Sequence, residues 1–285
     1  MVEQLKFEFG DSNEIIFRYA GRRGAKGEKR LPRRKKTPEQ MERANQNNRR
    51  NYVRRLIKLN FSPRDLWVTL KYPAGTKKTV PELKKDFTNF IARLRRRYKK
   101  AGIELKFVYR MEVGSKGGLH VHLLVNHIPD IDIHIEECWK EGHIWYTHIY
   151  EEGGYERLAD YITKKPDKQI KGQLSLFPEE EQEELIRYGR SRNLKKPEPK
   201  KKVYSNWTMN AFMEGEDPKP SKGFYVDKDS IHRGINPYTG LSYIYYTEYR
   251  IGRWDEAEGK QAKKNHKKHR KKTGQKTREQ GSLPC

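Results

Sequence analysis

The sequence predicts an α+β fold centred on residues 61–168, and three observations predict it. Short apolar runs of strand length alternate with helix-length segments from Asp65 onward. One long segment keeps its apolar residues at helical spacing, and two of the strand runs are joined by a glycine-bearing turn that makes them antiparallel neighbours.

Taken in order, DLWVTLKY reads as a strand and PELKKDFTNFIARLRRRYKKAG as a helix, because Leu83, Phe87, Phe90, Ile91 and Leu94 recur on one face and Gly102 supplies a stop. That helix lays its apolar face on a sheet and turns its basic face outward. LKFVYRMEV and LHVHLLVN follow as strands, joined through SKGG at 115–118. A short helical piece near IEECWK, a strand HIWYTHIY and a helix YERLADYITKK complete the order strand, helix, strand, strand, helix, strand, helix.

Before this region, LKFEFGDSNEIIFRYA alternates like a strand, and GRRGAKGEKRLPRRKKTPEQ reads as a flexible basic arm, since Gly, Pro and like charges deny it a core. Pro38 to Lys58 reads as a very basic helix with Thr37 as its N-cap. The expected division is a basic arm and helix over 1–60, a catalytic domain over 61–168 and a polar linker over 169–202. A small aromatic-rich annex over 203–255 and a disordered basic tail over 256–285 complete it. One acidic helix is expected within the linker, near 178–188.

Composition limits the function. Apolar residues make up 34% of the 285 and charged residues 35%, too thin a hydrophobic supply for a single core of this length. Sixty-two Lys and Arg against 38 Asp and Glu give a formal charge of +24, which points to a polyanionic partner, nucleic acid before all others. No apolar run approaches the length of a membrane span and no signal-peptide core is present, so no membrane role and a cytoplasmic setting are expected. Cys138 and Cys285 stand far apart without a CxxC pair, which supports neither a disulfide framework nor a thiolate zinc site.

Chemistry concentrates in three places. The strand period of two puts His120 and His122 on one face of LHVHLLV, side by side in an otherwise apolar run, where a divalent ion would satisfy both rings. Chance placement of two histidines is the plainer reading of that pair alone. The SKGG hairpin returns Glu112 beside them, and a carboxylate with two imidazoles leaves coordination positions open, which suits Mg²⁺ or Mn²⁺ held for catalysis. A strand-end surface carboxylate is the competing reading of Glu112. In YERLADYITKKPD, Tyr161 and Lys164 lie three apart and share a helix face, a phenol nucleophile with a helper cation. The competing reading makes Tyr161 an ordinary aromatic of an amphipathic helix.

Together these pieces resemble a family. Strand LWVTLKYP, Glu112 eight residues before His120 in EVGSKGGLHVH, and DYITKK about forty residues later look like the three ordered motifs of the HUH endonuclease superfamily, specifically rolling-circle replication initiators. The resemblance covers roughly residues 62–167. It implies a five-stranded antiparallel sheet of ferredoxin or RRM-like kind, with the histidines on a central strand and the tyrosine on a facing helix. It implies His120, His122 and Glu112 as ligands of a divalent metal, Tyr161 as the nucleophile and Lys164 as helper. Such relatives nick single-stranded DNA at an origin of a small circular phage or plasmid, form a 5′-phosphotyrosine and release a 3′-OH that a host polymerase extends. Only one tyrosine occupies the DYITKK position, and Tyr155 six residues earlier would not share its face, so a single-tyrosine mechanism is expected. GTKKT at 75–79 lacks the second glycine of a nucleotide-binding loop, so a host helicase is expected as partner.

Two alternatives accompany this reading. A single-tyrosine transposase of the same superfamily shares the motifs but usually has a shorter chain, and conjugative relaxases place the tyrosine before the histidines. A non-catalytic basic nucleic-acid-binding protein explains the charge but not the order of Glu112, His120, His122 and Tyr161. His127, His143, His148, His266 and His269 are read as ordinary polar residues.

Overall fold

The structure, a computed structural model, describes residues 1–19, 32, 34–149 and 155–252. In chain order its strands and helices are β1 (Val2–Glu8), β2 (Ser12–Tyr19), α1 (Pro38–Asn60), β3 (Leu66–Lys71), α2 (Val80–Lys100), β4 (Phe107–Val113), β5 (Leu119–Val125), α3 (Ile131–Cys138) and β6 (His143–His148). There follow α4 (Glu156–Thr163), α5 (Lys168–Leu174), α6 (Glu179–Ile186), β7 (Tyr188–Arg190), β8 (Lys200–Tyr204), α7 (Asn206–Met213), β9 (Phe224–Val226), β10 (His232–Asn236) and β11 (Leu241–Arg250). They form an α+β molecule of two compact units, residues 36–198 and residues 1–35 with 199 onward.

The 36–198 unit is built on a five-stranded antiparallel sheet in the order β6-β3-β5-β4-β7, so the histidine strand β5 lies at its centre. Strand alternation sorts its side chains by face. Val68, Leu70, Met111, Val121 and Leu123 point to the face covered by α2, where Leu83, Phe87, Phe90 and Leu94 meet them in the larger core. Val108 and Leu124 point the other way and pack with Val53, Leu56 and Ile57 of α1 and Ala159 and Ile162 of α4. Glu112, His120 and His122 share this second face, beyond the cover of those apolar residues.

Local chemistry starts both long helices. Thr37 and Thr79 each accept from the backbone N–H three residues on while Gln40 and Glu82 accept from the cap N–H groups, with Pro38 and Pro81 in the first turn. Gly102, at φ +68°, takes the left-handed conformation that ends α2. The turn after β4 closes through Gly114 N–H to Gly118 O at 2.9 Å, and it sets the register that pairs Glu112 with His120 and Arg110 with His122.

The other unit is a six-stranded sheet, β10-β11-β2-β1-β8 with β9 on the end of β11. Its core gathers Val2, Ile15, Phe17, Ile244 and Tyr246 around Met209 and Phe212 of α7.

The division expected from the sequence differs from this one at three points. The first 60 residues are split: β1 and β2 are inner strands of the sheet that holds the 203–252 segment, and α1 belongs to the nuclease-like unit. An annex of about fifty residues buries too little surface alone, and the two N-terminal strands complete its core. The segment 169–202 is not a linker, since α5, α6 and β7 pack within the 36–198 unit and β7 forms the fifth strand beside β4. The expected basic arm lies for the most part outside the described residues, and the tail 256–285 wholly outside them.

Candidate metal centre and tyrosine

Register places the ligands. On β4 and β5 the pair Glu112 and His120 are direct partners, and His122 is two residues along the same face. Glu112 Oε2 lies 3.7 Å from His120 Nε2 and 3.4 Å from His122 Nε2. One ligand atom from each of the three residues falls within 4.8 Å of the others.

The donor set fits a divalent ion. Bonds of about 2.1 Å allow neighbouring ligand atoms to sit up to about 4.2 Å apart, and both carboxylate-to-imidazole distances satisfy that. Each imidazole turns its Nδ1 away from the cluster, His122 to Thr69 Oγ1 at 3.1 Å and His120 to Gly118 O at 3.4 Å, leaving both Nε2 atoms to face the carboxylate. Outer hydrogen bonds of this kind orient metal-binding imidazoles. Burial, with the nearby charge of His120, holds His122 below the ordinary imidazole pKa against the opposing pull of Glu112. The neutral ring is the ligand form. Burial raises the Glu112 carboxyl, but hydrogen bonds from both histidines, the Arg110 guanidinium and Tyr161 outweigh it and keep the carboxylate ionised.

Tyr161 reaches the cluster from α4. Its hydroxyl donates to Glu112 Oε2 at 2.8 Å and lies 2.6 Å from His122 Nε2. A phenol carries one proton, so in this arrangement the second contact is an Nε2–H donating to the phenolic oxygen, with Nδ1 accepting from Thr69. A ligated Nε2 requires the other tautomer, which Thr69 serves equally well because a hydroxyl both donates and accepts. Trp67 on β3 fixes both rings, stacking on His122 at 5.5 Å and 6° and meeting Tyr161 edge-on at 5.8 Å. Burial, reinforced by the Glu112 charge, pushes the phenol above its ordinary pKa, so it is protonated at neutral pH.

Lys164 is where the sequence placed it in space but not in structure. The expectation of a shared helix face fails, because α4 ends at Thr163 and Lys164 has left the helix at φ −54°, ψ 144°. Pro166 cannot extend the helix, and it biases Lys165 before it toward extended backbone. The ammonium nevertheless stands 4.0 Å over the Tyr161 ring and 3.4 Å from Glu112 Oε1. Lys165 turns instead to an ion pair with Glu42 of α1. Tyr155 is at the start of α4 with φ +64° and is buried among Val53, Ile57 and Ile162, away from the cluster.

Arg110 was not anticipated. Its side chain is 2% exposed and pairs Nε with Glu112 Oε1 at 2.8 Å. Its Nη1 donates to the carbonyls of Ile162 at 2.9 Å and Lys164 at 2.8 Å, with Tyr161 O at 3.4 Å. One guanidinium thus satisfies carbonyls that the end of α4 leaves open and ties them to the ligand carboxylate. The available sequence signal was a lone Arg on the Glu112 face of a buried strand.

Fold and site together define a class: a domain with a carboxylate and two imidazoles on adjacent central strands and a helix-borne tyrosine against them. Residues 65–166, which hold every one of these groups, match the family model for replication-associated protein ORF2, and the domain belongs to that family, consistent with a rolling-circle initiator of the HUH superfamily. No curated protein and no solved structure matches the chain. Among the described residues no helix is long and apolar enough to cross a membrane.

Proposed function

We propose that this protein nicks the origin strand of a small circular phage or plasmid replicon through a covalent 5′-phosphotyrosine on Tyr161 and leaves a 3′-OH primer. The observation that carries the reading is the meeting of the Tyr161 hydroxyl with Glu112 and His122 at 2.8 and 2.6 Å, a phenol directed into a metal-ligand cluster rather than into a core.

In the step proposed, Tyr161 Oη forms a bond to phosphorus as the P–O3′ bond breaks, and the phenolic proton ends on the departing 3′ oxygen. No water is consumed. Glu112, His120 and His122 would hold a divalent ion, Mg²⁺ or Mn²⁺, which when bound supplies Lewis-acid polarisation of the scissile phosphate. Trp67 holds the phenol in line by packing against its edge, and Lys164 offsets the charge that builds on the phenolic oxygen and phosphate. Arg110 keeps the end of α4 and the Glu112 carboxylate in one frame. One tyrosine performs the reaction. A host polymerase extends the 3′-OH, and a host helicase separates the strands.

The test is the adduct itself. With a labelled single-stranded origin oligonucleotide and Mn²⁺, the label is expected on the peptide containing Tyr161, lost with EDTA and lost in Tyr161→Phe, which removes only the phenolic oxygen. Lys164→Ala is expected to slow adduct formation on the order of 100-fold, as for one missing electrostatic stabiliser. Label on Tyr155 or Tyr150, or no covalent product with any single strand, overturns the mechanism.

A further inference from the structure

The sheet face that carries the metal centre continues past it to the open edge. On β3, Thr69 is the direct partner of His122 on one side and of Trp145 on the other, and Lys71 is likewise flanked by His120 and His143. Directly opposed residues share a face, so Trp145 and His143 stand on the same surface as the cluster, two strands or roughly 10 Å away. Trp145 is 53% exposed, and an indole left this open on a regular strand stabilises nothing in the fold. Lys71 Nζ lies 4.8 Å from its ring centre, and the His143 ring meets it edge-on at 5.9 Å.

We propose that Trp145, with Lys71 and His143, is a base-stacking subsite for the single-stranded DNA that crosses the sheet toward Tyr161, a role that rests on the nicking function proposed above. Charge selects the occupant. An exposed indole bordered by a lysine and an imidazole is poorly matched to an apolar or basic partner and well matched to a polyanion with aromatic bases, in a chain of net charge +24. Trp145 takes the flat face of one base. Lys71 meets the adjoining phosphate, and β3 carries the strand from this anchor to Thr69, His122 and the phenol. No hydrogen-bonding edge of a base is read at Trp145, so the subsite gives affinity and register without sequence preference.

The experiment measures the affinity of the full chain for fluorescent (dT)15 and, separately, the single-turnover rate of adduct formation on the origin oligonucleotide as its concentration rises. Trp145→Ala is expected to weaken (dT)15 binding on the order of 10-fold and to raise the half-saturating oligonucleotide concentration alike, with the saturated rate unchanged. Trp145→Phe restores most of both, since any flat ring stacks. Lys71→Gln is expected to flatten the salt dependence by about 0.7 in log–log slope, the loss of one phosphate contact. Ultraviolet crosslinking of an iodouracil-substituted strand is expected to label the peptide spanning 143–149. Unchanged affinity in Trp145→Ala, or a fall in the saturated rate alone, overturns the subsite while leaving the nickase intact. Weakened (dT)15 binding with no adduct in the parent protein keeps the subsite and sinks the nickase.

Discussion

Arg110 illustrates what one buried residue does for the site. A guanidinium with 2% exposure is placed there only if its charge and donors are answered, and Glu112 and the carbonyls at the end of α4 answer them. Arg110→Met therefore leaves the ligand carboxylate buried without its nearest cation and the carbonyls without a donor. The expected loss is about 3–5 kcal/mol in chemical denaturation, the cost of breaking a buried pair from one side. Arg110→Lys keeps the charge but cannot span Glu112 and the carbonyls with a planar fork, so it is expected to recover only part of that stability. A denaturation midpoint for Arg110→Met equal to the parent's would show that the pair contributes nothing. His120→Ala and His122→Ala are expected to behave differently: metal-dependent cleavage disappears while single-strand affinity stays within a few-fold, because affinity rests on Lys and Arg contacts to phosphate.

At the scale of elements, the fifth strand is the part most easily overlooked and most tightly fitted. β7 is three residues long, YGR, and a Cβ on Gly189 would fall 2.3 Å from the Tyr109 ring of β4. Glycine is there because the strand must pass over a tyrosine, not because the backbone needs a positive φ. Gly189→Val is expected to push β7 off the edge of the sheet at a cost of about 1–3 kcal/mol, typical of overpacking. Hydrogen exchange at Tyr109 and Arg110 amides should then rise, whereas exchange on β3 and β5 should not. The hairpin of β4 and β5 was legible beforehand because SKGG, the two strand lengths and the alternation are local, and together they set the pairing of Glu112 with His120. β7 was not legible, because three residues with a central glycine carry no period, and their only strand partner is β4, about 80 residues away in the chain.

Across the whole molecule, charge and metal set the conditions under which the site works. With a formal charge of +24, affinity for single strands is expected to fall with salt at about 0.7 log units per neutralised phosphate for each tenfold rise in salt. Removing residues 256–285 should flatten that dependence without changing which oligonucleotide is cleaved, since a solvated basic segment has no fixed geometry for reading base edges. An altered sequence preference with an unchanged slope would contradict this. An ion that binds only the folded chain stabilises it in proportion to the logarithm of its concentration above Kd. Mn²⁺ is therefore expected to raise Tm of the parent and not of His122→Ala, and EDTA to reverse the rise.

The sequence by itself determined the α+β class, the antiparallel pairing of the ligand strands and the identity of the cluster Glu112, His120 and His122. Each of these is written in short-range pattern: a period of two, a period of 3.6 or a turn. Only the tertiary structure decided that Lys164 serves Tyr161 from outside the helix, that Arg110 braces the carboxylate, and that β1 and β2 join strands about two hundred residues downstream. These outcomes depend on which buried groups find partners across the fold, and a carbonyl left open at the end of one helix does not reveal in sequence which distant guanidinium will satisfy it.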